Sequence, residues 1–366
     1  MMMDRLKPAL ATDIPGCAWI LRFDGDGRAE PGDAGDVARL GQPGEGFVWL
    51  HLDLTDARTK ALAGQIPGLT PDAKDTLFGA VDHQFVEHSG TQVSGAILDH
   101  ERGLSGRTTR TDFLRFAFGA GFLISARRRP LLSTEETRIA LASGQMAPTP
   151  LALFETIVER LCDELAAILT ELGATLDRIE EHVVEGRWRD ERKALGPTRR
   201  SALRLARQIS GLRAILHRLE LATLAPEHAQ LRDAAARLVQ RTDALQHDVT
   251  NLQDRARLMQ DEVHAALNLE TNDRLYLLTV VTTLLLPATF VTGYFGMNTK
   301  QLLFSENDNG SLYATLLCVL SSIAVFLFMR SKGLTRPSDA DDDEGRTTQK
   351  KRRAAAHGPS SNSESF

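Results

Sequence analysis

Residues 275–298 form the apolar stretch LYLLTVVTTLLLPATFVTGYFGMN. It carries no charged side chain and exceeds the ~20 residues that are needed to cross a bilayer core. A second charge-free run occupies residues 310–329, after a short polar connection. The pattern predicts a transmembrane hairpin over residues 274–330, with its spans at 275–295 and 310–329. A pair of buried helices in a soluble protein is the alternative.

Basic residues flank the outer ends of this hairpin. They are Arg274 before the first run and Arg330, Lys332 and Arg336 after the second. The connection carries only Lys300 among basic residues. Since Lys and Arg concentrate on the cytoplasmic side, we expect an inner-membrane protein with both termini and the soluble part in the cytoplasm. The tail, residues 331–366, changes from acidic to basic at low complexity and is predicted to be disordered.

Composition excludes several other classes of protein. The 366 residues carry a formal net charge of −5 without a concentrated basic face, which argues against nucleic-acid binding. Cys17, Cys162 and Cys318 are far apart and follow no disulfide or metal-binding spacing. No phosphate-binding loop, nucleophile elbow or HExxH motif is present. The sequence therefore predicts neither an enzyme nor a tightly bound cofactor.

Residues 1–145 alternate strand-like and helix-like segments, which is typical of an α/β domain. The strand-like runs are CAWILRF (17–23), FVWLHLDL (47–54), TQVSGAILD (91–99), DFLRFAF (112–118) and GFLISAR (121–127). Helices are predicted over 56–66 and 70–80, where Thr70 and Pro71 suit the N-cap and first turn. The predicted fold is this cytoplasmic α/β domain joined by a very long stalk helix to the two-helix hairpin, an α+β soluble funnel with an all-α membrane part.

Long helices follow the α/β domain. Apolar residues recur three and four apart through 149–184 and 190–224, with a break expected at Gly196–Pro197. Pro226 opens a further helix that meets no stop signal before the end of the first span. At 1.5 Å per residue that helix would be roughly 100 Å long.

The stalk, residues 146–273, ends in a helix with two different faces. The apolar face consists of Leu245, Val249, Leu252, Ala256, Met259, Val263 and Ala266. The opposite face consists of His247, Asn251, Asp254, Leu258, Asp261, Ala265, Asn268 and Asn272. The first face predicts a seam packed on other helices. The second is mostly polar.

The polar register continues into the first span as a stripe of threonine, glycine and leucine. Its members there are Leu275, Thr279, Thr282, Leu286, Thr289 and Gly293. A single membrane anchor has no use for such a stripe, whereas a ring of identical helices would gain a narrow, partly polar pore lining. In the alternative reading, each threonine bonds its own i−4 carbonyl or packs between helices.

The first span finishes on TGYFGMN. Pro287 loosens the helix, and Gly293 and Gly296 are expected to let its end unwind. Met297 can pack, while Asn298 offers a carbonyl and an amide at the outer mouth. Rings of neutral oxygens suit a hydrated divalent cation, because they hydrogen-bond to its water shell without stripping it.

These residues resemble the CorA superfamily of divalent-cation transporters. The resemblance rests on LPATFVTGYFGMN at the end of the first span, on ETNDRLYLLT before it, and on the layout of an α/β domain, a long stalk helix and two spans. It covers nearly the whole chain apart from the tail. CAWIL, FVWLHLDL and LPATFVTG are most similar to the ZntB branch, which is associated with zinc. The loop TKQLLFSENDNG lacks the Met-Pro-Glu of the magnesium members, whereas Met in GMN is commoner among them.

The resemblance implies a homopentamer in membrane lipid whose first span lines the pore. It implies a selectivity ring of Gly296, Met297 and Asn298, and a pore line that includes Asn272, Leu275, Leu286 and Thr289. Zn²⁺ is the expected substrate, and Mg²⁺, with Co²⁺ or Ni²⁺, is the alternative. A regulatory divalent cation between cytoplasmic domains is also implied. Its candidate ligands are Asp261 first and then Asp254 and His247, for which a solvated helix face is the alternative.

Charges in the external loop, residues 296–309, bear on this reading. Lys300 would repel cations, but Glu306 and Asp308 bring the loop to a net −1, and the field of five such loops offsets the lysine. Lys300 turned outward to lipid headgroups is the other reading. Neither span contains Asp, Glu, His, Lys or Arg. Proton coupling would therefore need groups outside the bilayer, such as His247 or His264.

Two further readings compete with transport. DHQFVEH brings His83, Glu87 and His88 close in sequence, as in a metal site, although a polar surface strand is the simpler interpretation. A membrane-anchored coiled-coil scaffold or sensor would explain the long helix and the hairpin. It would not explain the threonine stripe or GMN.

Overall fold

The computed structural model describes residues 14, 16–41, 44–62, 66–103, 106–222, 229–297 and 309–332. The chain divides into two units between Asp261 and Glu262, and each is described by itself. The domain limits set out from the sequence stay predictions.

The first unit contains a mixed sheet, which has seven strands in the described part of the chain. The strands are β1 (Cys17–Phe23), β2 (Ala29–Pro31), β3 (Phe47–Asp53), β4 (Phe85–Ser89), β5 (Gln92–Gly103), β6 (Gly106–Gly119) and β7 (Phe122–Arg127). Their order is β2-β1-β3-β7-β6-β5-β4, with β3 and β7 parallel and the other pairs antiparallel. All five predicted runs are confirmed as strands, and β4 is the strand that the polar reading of DHQFVEH favoured.

Helices cover both faces of this sheet. Three short helices, α1 (Ala34–Ala38), α2 (Thr59–Leu62) and α3 (Pro71–Phe78), share a core with Val48, Leu50 and Leu52 of β3. Alternate residues of β3 point the other way, where Trp49 and His51 are fully buried. Burial on both faces explains why FVWLHLDL reads as a nearly continuous apolar run.

The second face is covered by α4 (Leu132–Ala142) and by the start of the long helices. Helix α4 was not predicted from the sequence, and its first turn is capped by a residue of β5. Asp99 on β5 accepts hydrogen bonds from the backbone N–H of Ser133 at 3.1 Å and from its hydroxyl at 2.6 Å. Burial raises the pKa of Asp99 to about 7. The side chain of Asp99, which is 34 residues away in sequence, thus caps the first turn of α4 in place of a local N-cap side chain.

Three long helices follow, α5 (Pro150–Val184), α6 (Trp188–Ala222) and α7 (Ala229–Phe295). The prediction of α5 is confirmed, with Thr149 as its N-cap. The break expected at Gly196–Pro197 is wrong, because α6 continues through Pro197. The hydroxyl of Thr198 donates to the carbonyl of Ala194 at 2.9 Å, and buried side chains hold α6 on both sides of the proline. Pro226 lies outside the described residues.

The predicted seam on α7 is confirmed in the first unit. Its members there, Leu245, Val249, Leu252, Ala256 and Met259, are at most 8% exposed. Side chains at the edges of the seam reach α5 and α6. These contacts join Arg237 to Glu155 (2.7 Å), Arg255 to Asp177 (2.6 Å) and Glu180 (2.9 Å), Ser210 to Gln246 (2.7 Å) and Arg199 to Gln260 (2.6 Å). Exposed ion pairs contribute little each, so the apolar seam supplies most of the packing energy.

The second unit contains residues 262–295 of α7 and a further helix, α8 (Gly310–Ser331). Among the described residues, α7 and α8 are the helices long and apolar enough to cross a membrane. Only 6% of the most apolar window of each is buried. The alternative of buried helices in a soluble protein therefore does not hold, since their leucines and phenylalanines are exposed.

The two faces of α7 should differ in their effect on stability. Val249→Ala is expected to lower the free energy of unfolding by about 2 kcal/mol, because Val249 is fully buried. Leu258 lies on the opposite face and is 61% exposed. Leu258→Ala is therefore the matched control and should lower the free energy of unfolding by less than about 0.5 kcal/mol. Unfolding of the detergent-solubilised protein by heat and denaturant measures both. Equal losses would contradict the assignment of the two faces.

Candidate functional site

One side of the first span is covered by α8. The hydroxyl of Ser322 donates to the carbonyl of Leu284 at 3.3 Å, and the sulfur of Cys318 lies 3.8 Å from the carbonyl of Ala288. These carbonyls lie on either side of Pro287, whose nitrogen has no hydrogen to offer the carbonyl four residues earlier. The carbonyl that loses its partner is that of Thr283, which is next to Leu284, so Ser322 of α8 binds the turn that the proline weakens. In the sequence the two polar groups of α8 are visible as Cys318 and Ser322, which are four residues apart in a mostly apolar run.

The predicted stripe lies on the other side of the helix. At about 100° per residue, its centre is turned roughly 180° from Leu284, Ala288 and Val291. All of its members are exposed in the chain, and they are Leu275, Thr279, Thr282, Leu286, Thr289 and Gly293. The packing of α8 thus leaves this stripe available to water, lipid or another copy of the chain.

The threonines of the stripe donate their hydroxyl hydrogens to their own helix. The three bonds run from Thr279 to Leu275 (2.8 Å), from Thr289 to Leu285 (2.9 Å) and from Thr282 to Leu278. The i−4 reading is therefore confirmed. It is compatible with a pore, because a hydroxyl held this way turns its lone pairs outward. Thr283, which is off the stripe, makes the same bond at 2.7 Å, so this bond alone does not identify a lining.

Helix α7 ends at Phe295, and its last turn closes through the backbone. The N–H of Gly296 donates to the carbonyl of Thr292 at 2.9 Å. Of the two glycines that were expected to let the end unwind, Gly296 follows the last helical residue, whereas Gly293 remains helical. Glycine costs about 1 kcal/mol relative to alanine within a helix, but it keeps both backbone hydrogen-bonding groups.

The predicted selectivity ring is only partly within the described chain. Gly296 and Met297 follow the helix and are exposed. Asn298 and the loop residues Lys300, Glu306 and Asp308 lie outside the described residues. Their assigned roles stay predictions.

The polar face of the cytoplasmic part of α7 is also uncovered. His247, Asp254 and Asp261 are exposed, and none of the three makes an ion pair or hydrogen bond within the described chain. They are seven residues apart, which is roughly 10.5 Å along a helix, so they cannot share one ion within one helix. In the second unit, Asn268 and Asn272 of the same register are exposed as well.

The described residues contain no group of three His, Cys, Asp or Glu side chains that could hold a metal ion. The metal-site reading of DHQFVEH therefore has no support. His83 precedes β4 and is bonded to Asp82 at 2.6 Å, while Glu87 is exposed on the strand. Asp261 likewise belongs to no such group within the described part of the chain.

Comparison with known proteins identifies the family to which the chain belongs. The model of the family described as "CorA-like Mg2+ transporter protein" matches residues 44–331. Among curated proteins, the zinc transport protein ZntB of Photorhabdus laumondii subsp. laumondii is 24% identical over 318 residues, which cover 86% of this chain and 94% of that protein.

Solved structures share the fold. The full-length CmaX protein matches with a TM-score of 0.71 at 21% identity, over 87% of this chain and 98% of its own. The CorA magnesium transporter of Methanocaldococcus jannaschii matches with a TM-score of 0.69 at 16% identity, over 86% and 98%. The cytoplasmic domain of ZntB from Vibrio parahaemolyticus matches with a TM-score of 0.57 at 14% identity, over 70% and 99%. At these identities the likeness establishes the fold alone.

Proposed function

Because this chain belongs to the family of CorA-like Mg2+ transporter proteins, and is thus a divalent metal transporter of the CorA family, we propose that Zn²⁺ is its principal ion. One observation carries the route we propose for that ion. The uncovered face of the first span, opposite α8, is the face that bears Thr279, Thr282, Thr289 and Gly293 and leads to Gly296. This transport role agrees with the lack of enzyme motifs in the sequence.

The pore is formed by five copies of the chain in the inner membrane, with both termini on the cytoplasmic side. The stripe on each first span faces the common axis, and Gly296, Met297 and Asn298 form the selectivity ring. Support comes from the exposed stripe, from the flanking Lys and Arg residues, and from the family. A particle of five times 40.2 kDa in native mass spectrometry is the expected result.

Neutral oxygens along this route suit a hydrated divalent cation. Each stripe threonine has its hydrogen turned to the backbone, so its oxygen accepts hydrogen bonds from the ion's water shell. The spans contain no Asp, Glu, His, Lys or Arg that would hold a divalent ion tightly. An ion therefore binds weakly enough to leave again, which conduction requires.

The choice of Zn²⁺ rests on the likeness to ZntB and on a loop without Met-Pro-Glu. Mg²⁺ is the second candidate, and the printed description of the family and Met297 in the GMN motif favour it. If transport is coupled to protons, the titrating groups lie outside the spans, with His247 and His264 as candidates.

Ion flux into liposomes that hold the purified protein tests this proposal. Zn²⁺ and Mg²⁺ are compared, each with and without an inward proton gradient, and we expect Zn²⁺ to enter faster. Faster entry of Mg²⁺ without dependence on the gradient would overturn the choice of zinc. No flux of either ion in a folded preparation would favour the scaffold reading.

The role of Asn298 has its own test in the same assay. Asn298→Ala is expected to reduce the Zn²⁺ flux, or the selectivity of the pore for Zn²⁺ over Mg²⁺, by about tenfold. The reason is that each copy loses the carbonyl oxygen and the NH2 group of this side chain at the mouth of the pore. Asn309→Ala, in the same connection and without a side-chain capping bond, is the matched control and should leave both unchanged. Unchanged transport by Asn298→Ala would remove this residue from the ring.

We also assign Asp261 to a regulatory metal site shared between copies, with Asp254 and His247 as weaker candidates. Binding of Zn²⁺ to the folded assembly raises its unfolding temperature. Asp261→Asn should reduce that rise by half or more, whereas Asp248→Asn, at an exposed position of α7 outside the polar face, should not. Equal effects of the two substitutions would indicate a merely solvated helix face.

A further inference from the structure

A cleft of about 410 Å³ lies in the first unit, between the sheet and the helices α5 and α6. Its volume falls within the usual range for small-molecule sites. No residue of α7 lines it, and the transport proposal does not use it. Strands β5 and β6 form one wall and the two helices form the other.

Four of the residues that line this cleft are apolar and come from both of its walls. Leu98 comes from β5, Ile168 and Leu172 from α5, and Leu205 from α6. Branched side chains on opposite walls suit a flat or compact apolar body that enters between them.

One edge of the cleft carries two arginines, Arg204 and Arg207, which are three residues apart on α6. Arg204 donates to the hydroxyl of Ser201 at 2.9 Å, and Ser201 also lines the cleft. Within the described chain neither guanidinium is paired with a carboxylate, whereas Arg213 of the same helix is paired with Asp243. Two such groups beside a hydroxyl match the oxygens of a phosphate.

The wall that carries these arginines is fixed to the sheet. The amide of Gln208, only 6% exposed, donates to the carbonyl of Leu98 at 2.9 Å. The carbonyl of Gln208 in turn accepts from the side chain of Gln84 at 3.1 Å, and Gln84 accepts from the N–H of Leu98 at 3.1 Å. This closed set of hydrogen bonds holds α6 against β5, so the cleft is formed before any ligand arrives.

The lining also includes the buried side chain of His100 and a carboxylate. Glu171 on α5 is an acceptor that would repel a phosphate but can receive a hydrogen bond from a sugar hydroxyl. Hydroxyls of Thr108 and Thr111 add further polar contacts on the side of the sheet. A phosphate-binding edge, an apolar slot and a separate acceptor match the three parts of a nucleotide.

We propose that this cleft binds a nucleoside monophosphate. The phosphate binds Arg204 and Arg207, the base lies between the apolar walls, and a ribose hydroxyl donates to Glu171. The cleft is thus a cytoplasmic nucleotide site on a metal transporter, and its occupancy does not depend on which ion the pore conducts.

Isothermal titration calorimetry of the full chain in lipid nanodiscs tests the proposal, with AMP, adenosine and inorganic phosphate as separate ligands. AMP is expected to bind saturably with a Kd below about 1 mM, and the other two at least about tenfold more weakly. Arg204→Gln combined with Arg207→Gln should weaken AMP binding by about tenfold or more. Arg200→Gln, an exposed arginine of α6 outside the cleft, is the control and should change it less than about twofold.

Three results would overturn the proposal. They are the absence of saturable AMP binding, binding of phosphate as tight as that of AMP, and an equal loss in the Arg200→Gln control. The first two use the unaltered protein, so they decide the matter even if the double variant does not fold.

Discussion

Packing within each unit covers one face of α7 and leaves the opposite face open. In the first unit, Val249 and its neighbours in the seam are buried and His247, Asp254 and Asp261 are exposed. In the second unit, α8 packs on Leu284 and Ala288. The threonine stripe is left on the opposite side. In each unit, the apolar contacts that α7 makes with the rest of the chain thus lie on one side of the helix. The polar register lies on the other side and is free to contact water, lipid or another copy.

This arrangement separates two kinds of chemistry along one helix. The membrane part offers hydroxyl oxygens and glycines without formal charge, as suits an ion that keeps its water shell. The cytoplasmic part offers carboxylates and an imidazole that can hold a partly dehydrated metal. Asp254 and Asp261 are seven residues apart on the helix and are therefore too far apart to bind the same ion.

Much of the fold was predictable because its signals are long or local. The hairpin, α5 and α7 follow from periodicity and hydropathy over many turns, and five strands follow from short apolar runs between turn residues. The short elements α1, α4 and β2 were not predicted. The contact of Asp99 with the first turn of α4 joins residues distant in sequence, and no local pattern identifies it. The break at Pro197 failed because packing on both sides of the proline outweighs one lost hydrogen bond.

The candidate site was predictable in part. The register of the stripe came from the sequence alone, and the structure adds that it lies opposite α8. The contacts of Ser322 and Cys318 with carbonyls beside Pro287 depend on tertiary packing, which no local pattern reveals. The cleft beside Arg204 and Arg207 is likewise a product of packing between α6 and the sheet.

The direction in which the stripe faces can be tested by the reactivity of cysteines placed on and off it. In a Cys318→Ser background, Thr289→Cys and Thr283→Cys are compared for reaction with a charged, membrane-impermeant thiol reagent in liposomes. Both substitutions remove the same i−4 hydrogen bond, and only Thr289 is on the stripe. We predict that Cys at 289 reacts and that its reaction blocks ion flux, since a thiolate forms only where water reaches it, while Cys at 283 stays unreactive. Equal reaction at both positions, or reaction at 283 alone, would contradict the account.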